Sequence, residues 1–392
     1  MRWARKGFIP RKNNDMKKFV AVMMLGVAVA ACSENVPERP VSSPEPMSKA
    51  EIARMFSKLP IGRDQMMEVK EAVAASSGNG YDEEYMMKDL IDSPGSGVGD
   101  DAATKAARAK SYAAPLRSLI AEYLSAKYAT KAGAADVEKY MNALSESDLQ
   151  IYWPYSDGWD GETLPLITFD PGYGAETNYG YELRRDEKGF MVVDSVIVDE
   201  KVAQERPVWV VNTNDDSAFT PLEMFVDGEP ALTKGKGRML VLKSFNMLRN
   251  YDSWFGGASE FFIKCGAVDG FTARTEAEMK LYNPTVTDFM LVVKRSSKGK
   301  PLDIGTILMS NFTSQIESIA FLVTEDDGGT VTNWKCSAVV KINSKNYGFE
   351  VDIPYKDKDD IVWRGQLSSS FLTSEDEVTA RLGDVEITFA LE

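Results

Sequence analysis

The spacing of hydrophobic residues changes once along the chain, close to residue 149. Between residues 47 and 148, apolar residues recur three or four positions apart, as they do in amphipathic helices. The clearest helical stripe consists of Leu116, Leu119, Ile120, Tyr123, Leu124 and Tyr128. From Leu149 onward apolar and polar residues alternate, which indicates strands with one buried face. The pattern therefore predicts an N-terminal helical region followed by a β-rich body.

The β-rich body is expected to consist of antiparallel sheets. Its strand-like runs follow one another without helical crossovers, and turn signals such as residues 325–329 separate them. Gly256 and Gly257 predict a boundary between a middle β-rich region, 149–256, and a C-terminal β-sandwich, 257–392. The predicted fold class is therefore α+β.

The first residues carry the features of an export signal. Met16, Lys17 and Lys18 precede an apolar run over residues 19–31, which has the length of a signal-peptide core and is too short to span a bilayer. The run ends in Val-Ala-Ala-Cys at Cys32, which resembles the lipobox of bacterial lipoproteins. This resemblance implies that residues 1–31 are removed and that Cys32 is lipidated with a diacylglycerol and a further acyl chain such as palmitate.

Residues 32–46 are polar and rich in proline and glutamate, so they are expected to form an extended lipidated tether. In the lipoproteins that this lipobox resembles, an aspartate directly after the cysteine signals retention in the inner membrane. This chain has Ser33 at that position. The expected location is therefore the outer membrane, with the globular part held at its periplasmic or surface face.

The formal net charge of the chain limits the class of partner. The whole chain carries −14, and residues 1–31 contribute a net charge of +6, so the remainder carries −20. Such a surface repels nucleic acid and anionic lipid headgroups. Cations, basic partners and neutral ligands remain as partners, and the membrane is contacted through the lipid anchor.

The residue counts also limit the chemistry. The chain contains no histidine, which excludes Ser-His-Asp and Cys-His catalysis and histidine-ligated zinc. Beyond the lipid-bearing cysteine only Cys265 and Cys336 remain, and their strand patterns point both side chains inward. They form either a disulfide, which the envelope permits, or two free thiols. No catalytic motif is recognisable, and no catalytic residue is assigned.

Residues 151–174, the aromatic-acidic loop, are rich in aromatic residues, carboxylates and glycines. The candidate ligand-binding residues are Trp153, Tyr155, Asp157, Trp159, Asp160 and Glu162. Four interpretations remain open: an ordered loop above packed aromatics, contact with a sugar or peptide, calcium binding, and a carboxylate glycosidase. We expect Trp153 to be buried and Trp159 to be exposed.

A second acidic stretch, residues 355–365, distantly resembles the acidic loop of calcium-dependent phospholipid-binding domains of the synaptotagmin type. That resemblance implies calcium as the candidate cofactor. The metal ligands would be Asp357, Asp359 and Asp360, completed by Asp326 and Asp327 from a neighbouring hairpin. The alternative is a solvated charged turn.

Two further polar stretches are less specific. The glycine-rich residues 93–101 lack the lysine of a phosphate-binding loop and are interpreted as a linker. Asn212, Asn214, Asp215 and Asp216 follow an apolar strand, where they either contact a ligand or form a turn.

The sequence as a whole predicts an envelope lipoprotein that acts as a non-catalytic binding module at the outer membrane. Its ligand would be a glycan, a peptide or a protein. The alternatives are a structural accessory subunit of an envelope complex and a histidine-free glycosidase that works with carboxylates.

Overall fold

The computed structural model describes residues 47–92, 112, 114–128, 134–185, 191–214, 220–221 and 238–392. In this part of the chain helices and strands are mixed and the sheets are largely antiparallel, so the predicted β-rich body is confirmed. The signal segment, Cys32, the tether and the glycine-rich residues 93–101 lie outside the described residues. Among the described helices, none has the length and apolar character needed to cross a membrane.

Five helices precede the first long strand in the described part of the chain. They are α1 Lys49–Phe56, α2 Arg63–Gly78, α3 Met87–Asp92, α4 Leu116–Tyr128 and α5 Ala134–Ser145. A capping box starts α1: the Ser48 hydroxyl accepts from the Glu51 N–H, and the Glu51 carboxylate accepts from the Ser48 N–H. The predicted stripe of α4 is confirmed, because its four aliphatic members are buried and its two tyrosines pack against the same core.

The first sheet contains six strands in the order β1-β2-β6-β3-β4-β5. The strands are β1 Glu84–Met86, β2 Leu149–Tyr152, β3 Leu166–Phe169, β4 Thr177–Arg185, β5 Met191–Asp199 and β6 Val208–Thr213, and α6 Glu200–Glu205 precedes β6. One pair is parallel, β3 with β6, because the β4–β5 hairpin and α6 carry the chain back to the start of β3. The sequence pattern did not predict this crossover.

The helices and the first sheet share one hydrophobic core. It contains Ile52 of α1 and Ile120 of α4 together with Ile151, Trp153 and Trp209 from the sheet side. The predicted regions 47–148 and 149–256 therefore bury their apolar residues against each other. Each alone would leave an apolar face in water, which is why a sheet and a helical layer pair.

The C-terminal half contains two further sheets. Their strands are β7 Arg238–Met247, β8 Ser259–Ala267, β9 Thr285–Val293, β10 Leu302–Phe312, β11 Ile316–Glu325, β12 Val331–Ile342, β13 Lys345–Lys356, β14 Asp360–Ser368, β15 Glu377–Leu382 and β16 Val385–Leu391. The strand orders are β10-β7-β16-β15 and β13-β12-β11-β8-β9, with β14 also paired to β11. Phe245 and Phe389 from the first of these sheets meet Phe261 and Phe321 from the second in a common core. β7 lies before residue 257, yet it pairs with β10 and β16.

The two cysteines lie in different hydrophobic clusters. Cys265 on β8 is buried in the core between the two sheets, whereas Cys336 on β12 packs with Val351 in a separate cluster. Both are free thiols. The β12–β13 hairpin approaches β8 closely at Gly266, where an added Cβ would lie 2.7 Å from Val351 Cγ1. Of the two alternatives for the cysteines, the structure has the free thiols.

Candidate functional site

The tryptophans of the aromatic-acidic loop belong largely to the core. Trp153 is 1% exposed, as expected, and Trp159 is only partly exposed rather than open to solvent. The two rings meet edge-on with their centroids 5.7 Å apart. The indole Nε1 of Trp159 donates to the Thr163 carbonyl at 2.9 Å, which fixes the ring within its own loop. The loop therefore presents at most part of one indole to solvent.

The carboxylates of this loop are not brought together. Asp157 pairs with Lys70 of α2 at 3.1 Å, and Glu162 points into solvent. Asp160 accepts hydrogen bonds from the hydroxyl and N–H of Thr163 and from the N–H of Glu162, and these bonds lower its pKa to about 2. Asp160 thus stabilises the turn in which it lies.

A buried glutamate outside the loop, which the sequence pattern does not indicate as a site residue, forms hydrogen bonds with the aromatic-acidic loop. Glu83 is 2% exposed, and its carboxylate accepts from the N–H of Tyr155 and from the N–H and hydroxyl of Ser156. Burial raises the pKa of Glu83. Tyr155 has a left-handed backbone with φ 59°, and these bonds to Glu83 hold the turn in that uncommon conformation.

Tyr155 connects the loop to the C-terminal half of the molecule. Its hydroxyl donates to Glu200 Oε1 at 2.8 Å, and Arg295 Nε donates to the same oxygen at 2.8 Å. Arg295 also donates through Nη1 to the Asp252 carbonyl at 3.0 Å. Burial alone would raise the pKa of Glu200, but the hydrogen bonds from Arg295 and Tyr155 outweigh it and lower the pKa. Glu200 is therefore held as an anion.

This network borders a cavity of about 530 Å³, which we call the junction pocket. Its wall combines the loop after β3, the start of α6, the loop between β7 and β8, and the turn after β9. The lining residues are Gly174, Glu176, Glu200, Leu248, Arg249, Asn250, Tyr251, Asp252, Ser253, Arg295 and Lys298. Ligand pockets are commonly about 300–1,000 Å³, so the volume suits a small molecule or the end of a chain.

An exposed aromatic residue directly precedes one of the lining residues. Tyr173, immediately before Gly174, has a fully exposed side chain and a left-handed backbone with φ 57°. On the other side, the guanidinium of Arg249 lies over the Tyr251 ring at 4.7 Å. The junction pocket therefore combines cationic, anionic and aromatic groups, a combination that suits a polar or charged ligand better than an apolar one.

Several of the aspartates predicted to hold calcium instead form an ion pair or hydrogen bonds with other groups of the protein. Lys356 Nζ pairs with Asp326 at 2.6 Å, Asp357 accepts from the Thr330 N–H, and Asp359 accepts from the Lys356 N–H. Burial, followed by the charge of Asp360, raises the pKa of Asp327. A lysine interleaved in the acidic stretch thus occupies one side of the predicted site.

A different group of carboxylates meets the spacing that a metal ion requires. Among the described residues, Asp252, Glu260 and Glu325 offer oxygen atoms that all lie within 4.8 Å of one another. We call this group the acidic triad. Sequence reasoning missed it because its members come from the loop before β8, from β8 and from the end of β11, and each alone resembles an ordinary strand-end residue.

The asparagines at the end of β6 have structural roles. Asn212 Nδ2 donates to the carbonyls of Phe255 and Gly256, and Asn214 Nδ2 donates to the side chains of Glu84 and Gln150. These bonds connect β6 to the loop before β8 and to β1 and β2. Asp215 and Asp216 lie outside the described residues.

The chain was compared with protein families, with curated proteins and with solved structures. It matches no family model, no curated protein and no solved structure. Its function must therefore be inferred from the chemistry of its own side chains.

Proposed function

We propose that this chain is a non-catalytic binding module of a lipid-anchored envelope protein, and that the junction pocket takes its ligand. The proposed architecture has an N-terminal helical region, a middle β-rich region and a C-terminal β-sandwich, with the pocket where the last two meet. Loops from both of these regions line the cavity. That convergence is the observation that carries the proposal, because ligand sites form preferentially where two packed units meet.

The lining side chains favour a ligand that carries a charge and several hydrogen-bonding groups, such as an acidic sugar or the end of a peptide. Arg249 and Lys298 are exposed cations at the pocket. Tyr173 provides an exposed ring beside the pocket on which a sugar or a peptide side chain can pack. Three cations and three carboxylates line the pocket, so its formal charges balance within a protein whose net charge is negative.

The electrostatics of the pocket favour binding over glycoside hydrolysis. A glycosidase needs a carboxyl group that stays protonated near neutral pH and can reach the substrate. The pKa of Glu200 is instead lowered by its hydrogen bonds to Arg295 and Tyr155. Burial raises the pKa of Glu325, but Glu325 does not line the pocket.

A screen of acidic oligosaccharides and short peptides against the purified protein tests this proposal. For a ligand found in this way, Tyr173→Ala and Arg249→Ala should each weaken binding by roughly 1–3 kcal/mol, because aromatic and arginine side chains dominate such contacts. Isothermal titration calorimetry would measure the loss. Leu281→Ala, which removes a side chain that is 80% exposed and outside the pocket, is the control. Full affinity in both pocket variants would contradict the assignment.

A second candidate function is the docking of a protein partner as a structural subunit. Tyr179, Val193 and Ile197 form an apolar strip on the β4–β5 pair, and their side chains are 42%, 40% and 70% exposed. β5 is the last strand in the order of the first sheet. Exposed apolar surface beside a sheet edge favours association with another chain. If the ligand screen finds nothing, this strip becomes the better-supported binding surface.

The proposed lipid anchor makes its own prediction. Cys32→Ser should abolish acylation and leave the precursor uncleaved, because the thiol is the acyl acceptor in lipoproteins that carry a lipobox. Palmitate labelling and detergent partitioning of cells expressing the variant would measure this. A variant that still partitions into detergent at the mature mass would contradict the anchor.

A further inference from the structure

The acidic triad is built from three separate segments that meet at one end of the sandwich. Asp252 lies in the loop between β7 and β8, Glu260 is the second residue of β8, and Glu325 is the last residue of β11. Strands β8 and β11 pair directly, with Glu325 opposite Phe261, so Glu260 and Glu325 lie at the same end of the sheet. The rigid strands therefore hold two of the three carboxylates in place.

Glu325 is almost fully buried, and one of its two carboxylate oxygens has no hydrogen-bond partner among the described residues. Its side chain is 1% exposed, and within the described part of the chain its Oε1 atom has no hydrogen-bond partner. A carboxylate oxygen that is removed from water without a partner costs several kcal/mol, and such groups are normally paired or coordinate a metal. The unpartnered oxygen is thus an observation separate from the acidity of the cluster.

The charges around Glu325 make this burial more costly. Asp252 lies within hydrogen-bond distance of Glu325, and Asp327 and Asp360 act on it as further negative charges. Carboxyl groups this close to one another need either a shared proton or a cation between them.

We propose that the acidic triad of Asp252, Glu260 and Glu325 is a divalent cation site with the ligand chemistry of calcium. Calcium binds oxygen atoms at about 2.3–2.6 Å, so ligands on opposite sides of the ion are at most about 5 Å apart. One oxygen atom from each carboxylate lies within 4.8 Å of the others, which is inside this limit.

This site differs from the calcium site that the sequence predicts, although both lie at the same end of the sandwich. Asp360 pairs with Glu325 across β14 and β11, so the predicted aspartates adjoin the triad. They contribute negative charge near it, which attracts a cation. The cation would stabilise the end of the sandwich that also forms part of the junction pocket, because Asp252 lines that pocket.

The experiment uses the mature full-length protein, freed of metal with a chelator and heated with and without calcium chloride. At about a hundredfold excess over the dissociation constant, calcium should raise the Tm by about 3 °C or more, because it binds the native state alone. Glu325→Gln should lose this rise while melting in chelator at or above the temperature of the unaltered protein. Glu350→Gln, which alters an exposed glutamate of β13, should keep the rise.

Two outcomes would overturn the proposal. One is an unchanged Tm of the unaltered protein in about 10 mM calcium, a concentration that saturates weak extracellular sites. The other is a rise that persists in Glu325→Gln. If that persisting rise is lost in Asp357→Asn, the ion lies in the hairpin loops instead. If Glu325→Gln does not fold, Asp252→Asn replaces it, because Asp252 lies in a loop and is partly exposed.

Discussion

Replacing Trp153 with alanine should lower the free energy of unfolding by about 3–5 kcal/mol. The indole is 1% exposed and lies edge-on to two other indoles, with centroids 5.7 Å from Trp159 and 6.1 Å from Trp209. It packs between the helices and the first sheet, so truncation leaves a cavity that fixed strands and helices cannot close. Urea unfolding followed by circular dichroism would measure the loss.

Trp159→Ala is the matched comparison within the same loop. Its ring is partly exposed, so less apolar surface leaves water on folding and the loss should be roughly 1–3 kcal/mol. The loss in free energy of unfolding should be larger for Trp153→Ala than for Trp159→Ala, even if both variants are less stable than expected. A larger loss for Trp159→Ala than for Trp153→Ala would show that the described packing of the two indoles is wrong.

The stability of the protein should fall by about 3 kcal/mol between pH 4.5 and pH 8 through the titration of Glu68 alone. Glu68 lies on α2 and is 9% exposed, and its Oε2 accepts from the N–H of Leu116, the first residue of α4, at 2.7 Å. Burial raises its pKa from 4.5 to about 7, and the hydrogen bond from Leu116 offsets only part of this effect. The folded pKa thus lies above the unfolded pKa. Its contribution to stability is fully present below pH 4.5 and is lost as the pH rises through about 7.

Glu68→Gln isolates this contribution. The amide does not titrate, and its carbonyl oxygen can still accept the hydrogen bond from Leu116. The free energy of unfolding measured in urea at pH 4.5, 6 and 8 should therefore fall less steeply for the variant than for the unaltered protein. Glu350→Gln, at an exposed position, should follow the unaltered protein. Parallel pH profiles for Glu68→Gln and the unaltered protein would contradict the assigned burial of Glu68.

Local periodicity was sufficient to predict much of the secondary structure. The helical stripe of α4 and the alternation in β16 depend on neighbours within a few residues, and both occur where the pattern predicts them. The burial of Trp153 was predictable for the same reason, because it directly follows β2. These features depend on the repeat of a helix or a strand, which the order of apolar residues specifies directly.

Which distant segments pair with one another could be determined only from the tertiary structure. The pairing of β7 with β10 and β16, and the shared core of the helices and the first sheet, depend on which surfaces meet. Many surfaces of similar composition can bury the same apolar area, so the order of residues does not specify which of them pair. The sequence pattern therefore predicted many of the described elements, although not β1 or α6, and it did not predict how the elements are shared between layers.

The same distinction applies to the candidate sites. From the sequence alone, charged residues such as Glu83, Arg295 and Glu325 are expected at the surface. Burying a charge is favourable only when a partner or an ion compensates it, and the sequence does not show that partner. Their partners lie far away in sequence: Glu83 holds Ser156, and Arg295 holds Glu200. By itself, the sequence determined the repeat-based elements, the net charge and the absence of histidine chemistry. Only the tertiary structure decided which charges are buried together, because that depends on contacts between segments that local patterns do not encode.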